Sequence, residues 1–209
     1  KRQSEKTDVV VCAAGGLPGE LHKLWRAEGP GTYHVEYGFS CMGYEIAGAL
    51  GVKIASPARE VFVVVGDGSY LMMNSELATS VMLGRKIIVV LLDNSGYGCI
   101  NRLQKGTGNA AFNNLLQDCE GQAPAIDFAG HARALGAQSE TVGNISELEQ
   151  AIGRARAASK SYLIEIKTDP LTSTDNGSWW DVAIPQVSEH SGVRQALSDY
   201  QQQQQNQPY

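Results

Sequence analysis

Two apolar runs, VFVVVG at 61–66 and KIIVVLLDN at 86–94, constrain this 209-residue chain more than anything else in it. Each is a nearly unbroken series of Val, Ile and Leu rather than an alternation, so each reads as a strand covered on both faces. Between them, NSELATSVMLG (74–84) has a helical pattern that Asn74 or Ser75 can cap and Gly84 can end. Strand, helix, strand with both faces buried is a parallel pair joined by a crossover. The same alternation runs on either side. DVVVCAA (8–14) reads as a strand, and PGELHKLWRAEG (18–29) as a helix opened by Pro18, with Leu21, Leu24 and Trp25 on one face and a stop at Gly29. GYEIAGALGVKIA (43–55) is a small-residue helix. After a Gly- and Asn-rich stretch from about 95 to 125 come helix IDFAGHARALG (126–136), strand AQSETV (137–142), helix SELEQAIGRARAAS (146–159) and strand SYLIEIKT (161–168). The predicted fold is α/β, a doubly wound parallel sheet.

An apolar content of 43% with 19% charged residues suits one globular domain, placed at 8–170. Residues 1–7, within KRQSEKTD, read as an interdomain linker, 171–200 as a segment docking on the domain, and 201–209, QQQQQNQPY, as a disordered tail with too little apolar surface to fold. A net charge of −5 offers no basic patch for nucleic acid or an anionic membrane, and no apolar run is long enough for a membrane span. Cys12, Cys41, Cys99 and Cys119 show no metal-type pairing and are expected to be buried thiols of a cytoplasmic protein.

Both long strands end at the carboxyl edge of the sheet, where open α/β folds place ligands. The first ends in Gly66-Asp67-Gly68 and the second in Asp93-Asn94, so Asp67 and Asn94 are predicted to face each other. A carboxylate, an amide oxygen and a backbone carbonyl from a glycine turn are the oxygen ligands a hard divalent cation wants. Gly66 and Gly68 let backbone approach phosphates, and a helix starting at Ser69 would add N–H groups to an anion site.

This pattern, GDGSYLMMNSELATSVMLGRKIIVVLLDNSGYG, resembles the signature of the thiamine diphosphate enzymes. The resemblance implies a thiamine diphosphate-binding fold, with Mg²⁺ held by Asp67, Asn94 and the carbonyl of Gly96. Tyr97 and Gly98 follow in the same turn and complete the diphosphate side. The family more often has Asn where Asp93 stands, so an extra negative charge lies near the metal or points to the opposite face. EYGFSCMGYEIAGALG (36–51) resembles the family's segment beneath the cofactor, which places Met42 as the wedge that bends it and backbone around Ser40 and Met42 against its pyrimidine. The family's activating Glu lies on another domain, ordinarily in a partner subunit of a homo-oligomer, dimer or tetramer. Nothing in this chain matches it, so the chain is expected to be inactive alone. DVVVCAAGGLPGELHKLW, DNSGYGCINRLQ and GSWWDVAIPQVSE resemble the branch that hydrolyses a ring C–C bond of a cyclic trihydroxy-1,2-dione in inositol catabolism. Related decarboxylases carry an acid in the short helix where GYGCINRL has none. An acetohydroxyacid synthase-like carboligase, a 2-oxo acid decarboxylase and a non-catalytic binding module stay open as alternatives.

His22, His131 and His190 read as structural or solvated. His34, just before VEYGF, and the pair Trp179 and Trp180 stand open between a site role and a packing role. The segment 104–125 reads as a lid, an interface or a plain surface loop.

Overall fold

The computed structural model describes residues 2–121, 125–173 and 182–206. Six strands form one sheet: β1 (Val9–Cys12), β2 (Tyr33–Val35), β3 (Val61–Gly66), β4 (Ile88–Asp93), β5 (Gln138–Val142) and β6 (Tyr162–Lys167). Their order is β2-β1-β3-β4-β6-β5, and every pairing is parallel. The chain leaves β1 to one side and returns on the other as β3, which opens a crevice at the carboxyl edge.

Seven α-helices join the strands among the described residues, α1 (Gly16–Leu24), α2 (Tyr44–Ala55), α3 (Asp67–Met72), α4 (Ser75–Met82), α5 (Gly98–Gly106), α6 (Phe128–Ala134) and α7 (Ile145–Ala157), and an eighth, α8 (Ser191–Gln205), follows β6. Strand alternation splits the core in two. Val9, Val11, Val63, Val65, Val89 and Leu91 meet Ile46 and Ala49 of α2, Leu77 of α4 and Phe128 of α6. Phe62, Ile88, Ile164 and Ile166 meet Ala151 and Ala155 of α7 on the other face. Helices on both faces are why the central strands read as unbroken apolar runs.

Several expectations need correction. The helix after β1 ends at Leu24 rather than Gly29, and Leu24 is 67% exposed. The helix after β3 starts at Asp67, not Ser69, because Gly66 already serves as its extended N-cap. A short strand, β2, and a nine-residue helix, α5, occupy stretches that carried no apolar run to announce them. The tail is not disordered from 201: α8 carries its helix through Gln205. Buried Val193 anchors its first turn, and Gln is a good enough helix former to propagate a turn already nucleated. All four cysteines are free, yet Cys12 alone is buried; Cys41 and Cys119 are exposed on loops.

Candidate functional site

In the β3–β4 register Gly66 pairs with Leu92, so Asp67 and Asn94 leave the sheet at nearly the same level. Ser95 follows with φ +60, and Gly96 at φ +141 lies so close to Asn114 that a Cβ would fall 2.5 Å from its carbonyl oxygen. Only glycine fits there. This turn brings the Gly96 carbonyl back toward the Asp67 carboxylate, whose Oδ2 accepts a 2.7 Å hydrogen bond from the Gly96 N–H.

Asn94 completes the group. Its side-chain oxygen faces the Gly96 carbonyl oxygen and Asp67 Oδ1, two acceptors that a half-turn of the amide would meet with its NH₂ at 2.8 and 3.1 Å. Three oxygens converging without a hydrogen between them suit a hard cation, and the amide can turn to bridge them when none is bound. Among the described residues no three His, Cys, Asp or Glu side chains gather as a metal site, so this donor set is one carboxylate, one amide and one carbonyl. Burial, with the nearby Asp93 carboxylate adding to it, pushes Asp67 up to about 6, against the lowering effect of the Gly96, Asn94 and Gly68 N–H groups. A cation would offset that cost.

Asp93 itself turns elsewhere. Its Oδ1 accepts from the Ser95 N–H at 2.9 Å and its Oδ2 lies 3.7 Å from Lys167 Nζ.

A cavity of about 670 Å³ opens over this edge. It gathers Ser40, Met42, Gly66, Asp67, Gly68, Ser69, Asn94, Gly96, Tyr97 and Gly98, the full set singled out from the sequence. Gly68 is needed because the Tyr97 ring would sit 2.7 Å from a Cβ there, whereas a Cβ on Gly66 would meet no protein atom. The loop bearing Ser40 and Met42 is held by Glu36, whose carboxylate accepts from the N–H groups of Phe39 at 3.0 Å and Cys41 at 2.6 Å. Those two bonds hold Glu36 below the usual carboxylate range, Cys41 contributing most. Ser40 itself has φ +53, a strained conformation this loop imposes.

Behind the cavity wall Ser69 meets a carboxylate that the sequence hid. Glu45, 1% exposed, receives the Ser69 hydroxyl at 2.8 Å on each oxygen, while the Gly43 N–H points at both Ser69 Oγ (2.8 Å) and Glu45 Oε2 (3.0 Å).

Gly15, Gly16, Leu17, Arg102, Thr168 and Asp169 also line the cavity and were missed. The first three follow β1 and the last two follow β6; the rule that ligands sit beyond strand carboxyl ends would have found them. The Arg102 guanidinium lies so close to Gly16 that a Cβ there would be 2.7 Å from Nη2. His34 lies outside the cavity, stacked on Tyr44 and hydrogen-bonded to its hydroxyl at 2.5 Å. His131 meets the hydroxyl of buried Tyr70 at 2.8 Å, and His22 packs beside Tyr33 and Tyr37. Trp179 and Trp180 fall outside the described residues. The 104–125 segment begins in α5 and then returns to the site, with the Tyr97 N–H donating to Asn114 and the Leu116 N–H to Ser95.

Comparison with known proteins agrees with this geometry. Residues 13–166 match the family described as thiamine pyrophosphate enzyme, C-terminal TPP binding domain. The chain is 47% identical over 190 residues to the 3D-(3,5/4)-trihydroxycyclohexane-1,2-dione hydrolase of Halalkalibacterium halodurans, covering 90% of this chain and 30% of that protein. It is 46% identical over 189 residues to the protein of the same name from Bacillus subtilis, with the same coverage. The chain thus spans about 30% of the length of these relatives. Among solved structures, a thiamine diphosphate-dependent 4-hydroxybenzoylformate decarboxylase from Rhodococcus jostii RHA1 superposes with a TM-score of 0.72 at 22% identity, covering 80% of this chain and 31% of that one, which speaks to the fold. A doubly wound parallel sheet, an oxygen-lined turn at its carboxyl edge and a family match over residues 13–166 lead to one assignment: the chain belongs to the thiamine pyrophosphate enzymes, as their C-terminal TPP-binding domain.

Proposed function

We propose that this chain forms the Mg²⁺- and diphosphate-binding part of a hydrolase that opens 3D-(3,5/4)-trihydroxycyclohexane-1,2-dione to 5-deoxy-glucuronate in myo-inositol catabolism. The observation that carries the cofactor part is the convergence of Asp67 Oδ1, the Asn94 amide oxygen and the Gly96 carbonyl inside one cavity. The substrate part draws support from 47% identity to a hydrolase of that name.

Thiamine diphosphate supplies, when bound, a nucleophilic ring carbon and an electron sink for breaking a C–C bond beside a carbonyl. Asp67, Asn94 and Gly96 would hold Mg²⁺, and Gly66, Gly68, Ser69, Tyr97 and Gly98 would line the diphosphate. Met42 would support the bent cofactor from below, with backbone at Ser40 against its pyrimidine. Arg102 is the cation in the cavity lining, suited to the carboxylate that hydrolysis leaves.

The activating Glu is assigned to another part of the full-length protein, across a homo-oligomer contact. Exposed Phe39, Met72 and Met73 beside the cavity favour such a contact. Four free thiols favour a cytoplasmic setting, and no helix among the described residues is long and apolar enough to cross a membrane.

The test is to express the full-length protein and offer it the cyclic dione or pyruvate with Mg²⁺ and thiamine diphosphate. Consumption of the dione alone is expected. Asp67→Ala should abolish retention of the cofactor as well as turnover; unaltered binding by calorimetry would sink the metal assignment, and turnover of pyruvate would favour the carboligase or decarboxylase reading instead.

A further inference from the structure

We propose that Glu45 is a proton-accepting positioning residue: when a diphosphate binds beside Ser69, Glu45 takes a proton from solvent and returns the Ser69 hydroxyl hydrogen to the ligand. The inference rests on the cofactor reading of the cavity and adds a residue that touches neither metal nor ligand.

The hydrogen-bond count requires it. Ser69 lines the cavity and has a single hydroxyl hydrogen. That hydrogen is committed to Glu45, whose two oxygens both lie 2.8 Å from Oγ, and the Gly43 N–H meets the same Oγ from another side. In this state Ser69 offers a phosphate oxygen only lone pairs, which repel it. A protonated Glu45 reverses the pair: its own O–H donates to Ser69 Oγ, and the Ser69 hydrogen turns to the phosphate. One proton enters from buffer, one O–H···O bond changes direction, and no bond to carbon changes.

The surroundings allow the change. Glu45 lies 1% exposed at the start of α2, and the groups facing it are few. From α3 comes Ser69; from β1 comes the Cys12 thiol, itself in contact with the Tyr33 hydroxyl; and the N–H groups of Gly43, Ala14 and Glu45 itself point at the carboxylate. None of these is a cation that would pin Glu45 in its ionised form. Burial holds its carboxyl above the usual carboxylate range, against the hydrogen bonds that favour the anion.

The test is calorimetric titration of the full-length, cofactor-stripped protein with thiamine diphosphate in excess Mg²⁺, in buffers of differing ionisation enthalpy and across pH. The parent should take up more protons than Glu45→Gln, by a difference approaching one per site at mildly alkaline pH and shrinking to nothing as pH falls and Glu45 is already protonated. Its affinity should fall by up to about tenfold per pH unit relative to Glu45→Gln, in which the amide NH₂ permanently plays the donor. Ser69→Ala, which removes the relay and leaves Glu45 in place, should lose the extra uptake too, so the test stands even if Glu45→Gln folds poorly. Equal proton counts in the parent and Ser69→Ala would overturn the proposal while leaving the cofactor reading intact. An absence of any binding would overturn both.

Discussion

At Asp67, burial and the nearby Asp93 raise a carboxyl with an ordinary value of 3.8 to about 6, so the ligand-free protein carries this proposed metal ligand at a cost. The folded value lies above the unfolded one, which means the protonated form is favoured by folding. That stability is fully present below pH 3.8 and is lost as pH rises through about 6. The shift corresponds to about 3 kcal/mol at neutral pH. Asp67→Asn keeps an acceptor for the Gly96 N–H and removes the charge, so without metal it should melt roughly 6–12 °C above the parent at pH 7–8. The gap should close below about pH 4, where the parent is protonated as well. Paired melting curves across pH check this, and a parent more stable than Asp67→Asn at pH 8 without metal would contradict it. Asp67 and Asn94 were legible from sequence because each ends an apolar strand, and strand ends have one destination in this fold. Glu45 was not. In GYEIAGALG a lone Glu among small residues reads as the solvent face of a helix, and its side-chain partner, Ser69, lies 24 positions away. Asp93 was half legible: the departure at that position showed in the sequence, but its Lys167 partner comes from β6, a strand adjacent only after folding.

The elements that sequence patterning recovered are marked by their own composition: unbroken apolar runs in β1, β3 and β4, and helical spacing in α7. The ones it missed are held by contacts rather than by composition. β2 is three residues of Tyr-His-Val paired to β1, and α8 is a Gln-rich stretch docked through a single turn. That docking depends on two glycines. A Cβ on Gly192 would lie 2.5 Å from the Gly108 carbonyl oxygen, so the two backbones meet at a distance no other residue permits. Gly192 lies within the α8 helix, so alanine there brings no backbone strain and probes close packing, against the Gly108 carbonyl first and the His190 ring at 3.3 Å second. Gly192→Ala should cost about 1–3 kcal/mol, the usual penalty for overpacking. The loss should appear as faster amide exchange in the first turns of α8. Gly153 in α7 is the control: a Cβ there would meet nothing within 4 Å, so Gly153→Ala should stabilise by about 0.5–1 kcal/mol through helix propensity. If both substitutions stabilise, α8 is not seated on Gly108.

Taken as a whole, the domain covers its sheet on both faces, and part of the apolar surface it leaves exposed lies on the loop and helix that border the cavity. Phe39 is 91% exposed, Met72 53% and Met73 48%, on a protein whose net charge is −5. Met72 and Met73 lie against the loop that carries Phe39: a Cβ on Gly43 would fall 2.9 Å from Met73 Cβ and 3.6 Å from Met72 Cβ, so the end of the 37–43 loop lies directly against the end of α3. That loop carries Ser40 and Met42 into the cavity, while α3 begins with Asp67, Gly68 and Ser69. One surface therefore joins the two segments proposed to grip the cofactor, and exposed aromatic and Met side chains in such a cluster are what an interface core is made of. Under the proposed function, covering this face with a second copy would bury the exposed Phe39, Met72 and Met73, close the cavity from the side and bring in the activating carboxylate proposed to lie on another part of the full-length protein. Phe39→Asp in the full-length protein should weaken this contact and shift the molar mass measured by light scattering toward the protomer. Because Phe39 is nearly fully exposed within the domain, its melting without partner should stay within about 0.5 kcal/mol of the parent. Cofactor retention should fall along with assembly and recover at high protein concentration, since the loss is one of association and not of the proposed ligands Asp67, Asn94 and Gly96. An unchanged molar mass, or a retention defect that concentration leaves untouched, would place the contact on another face.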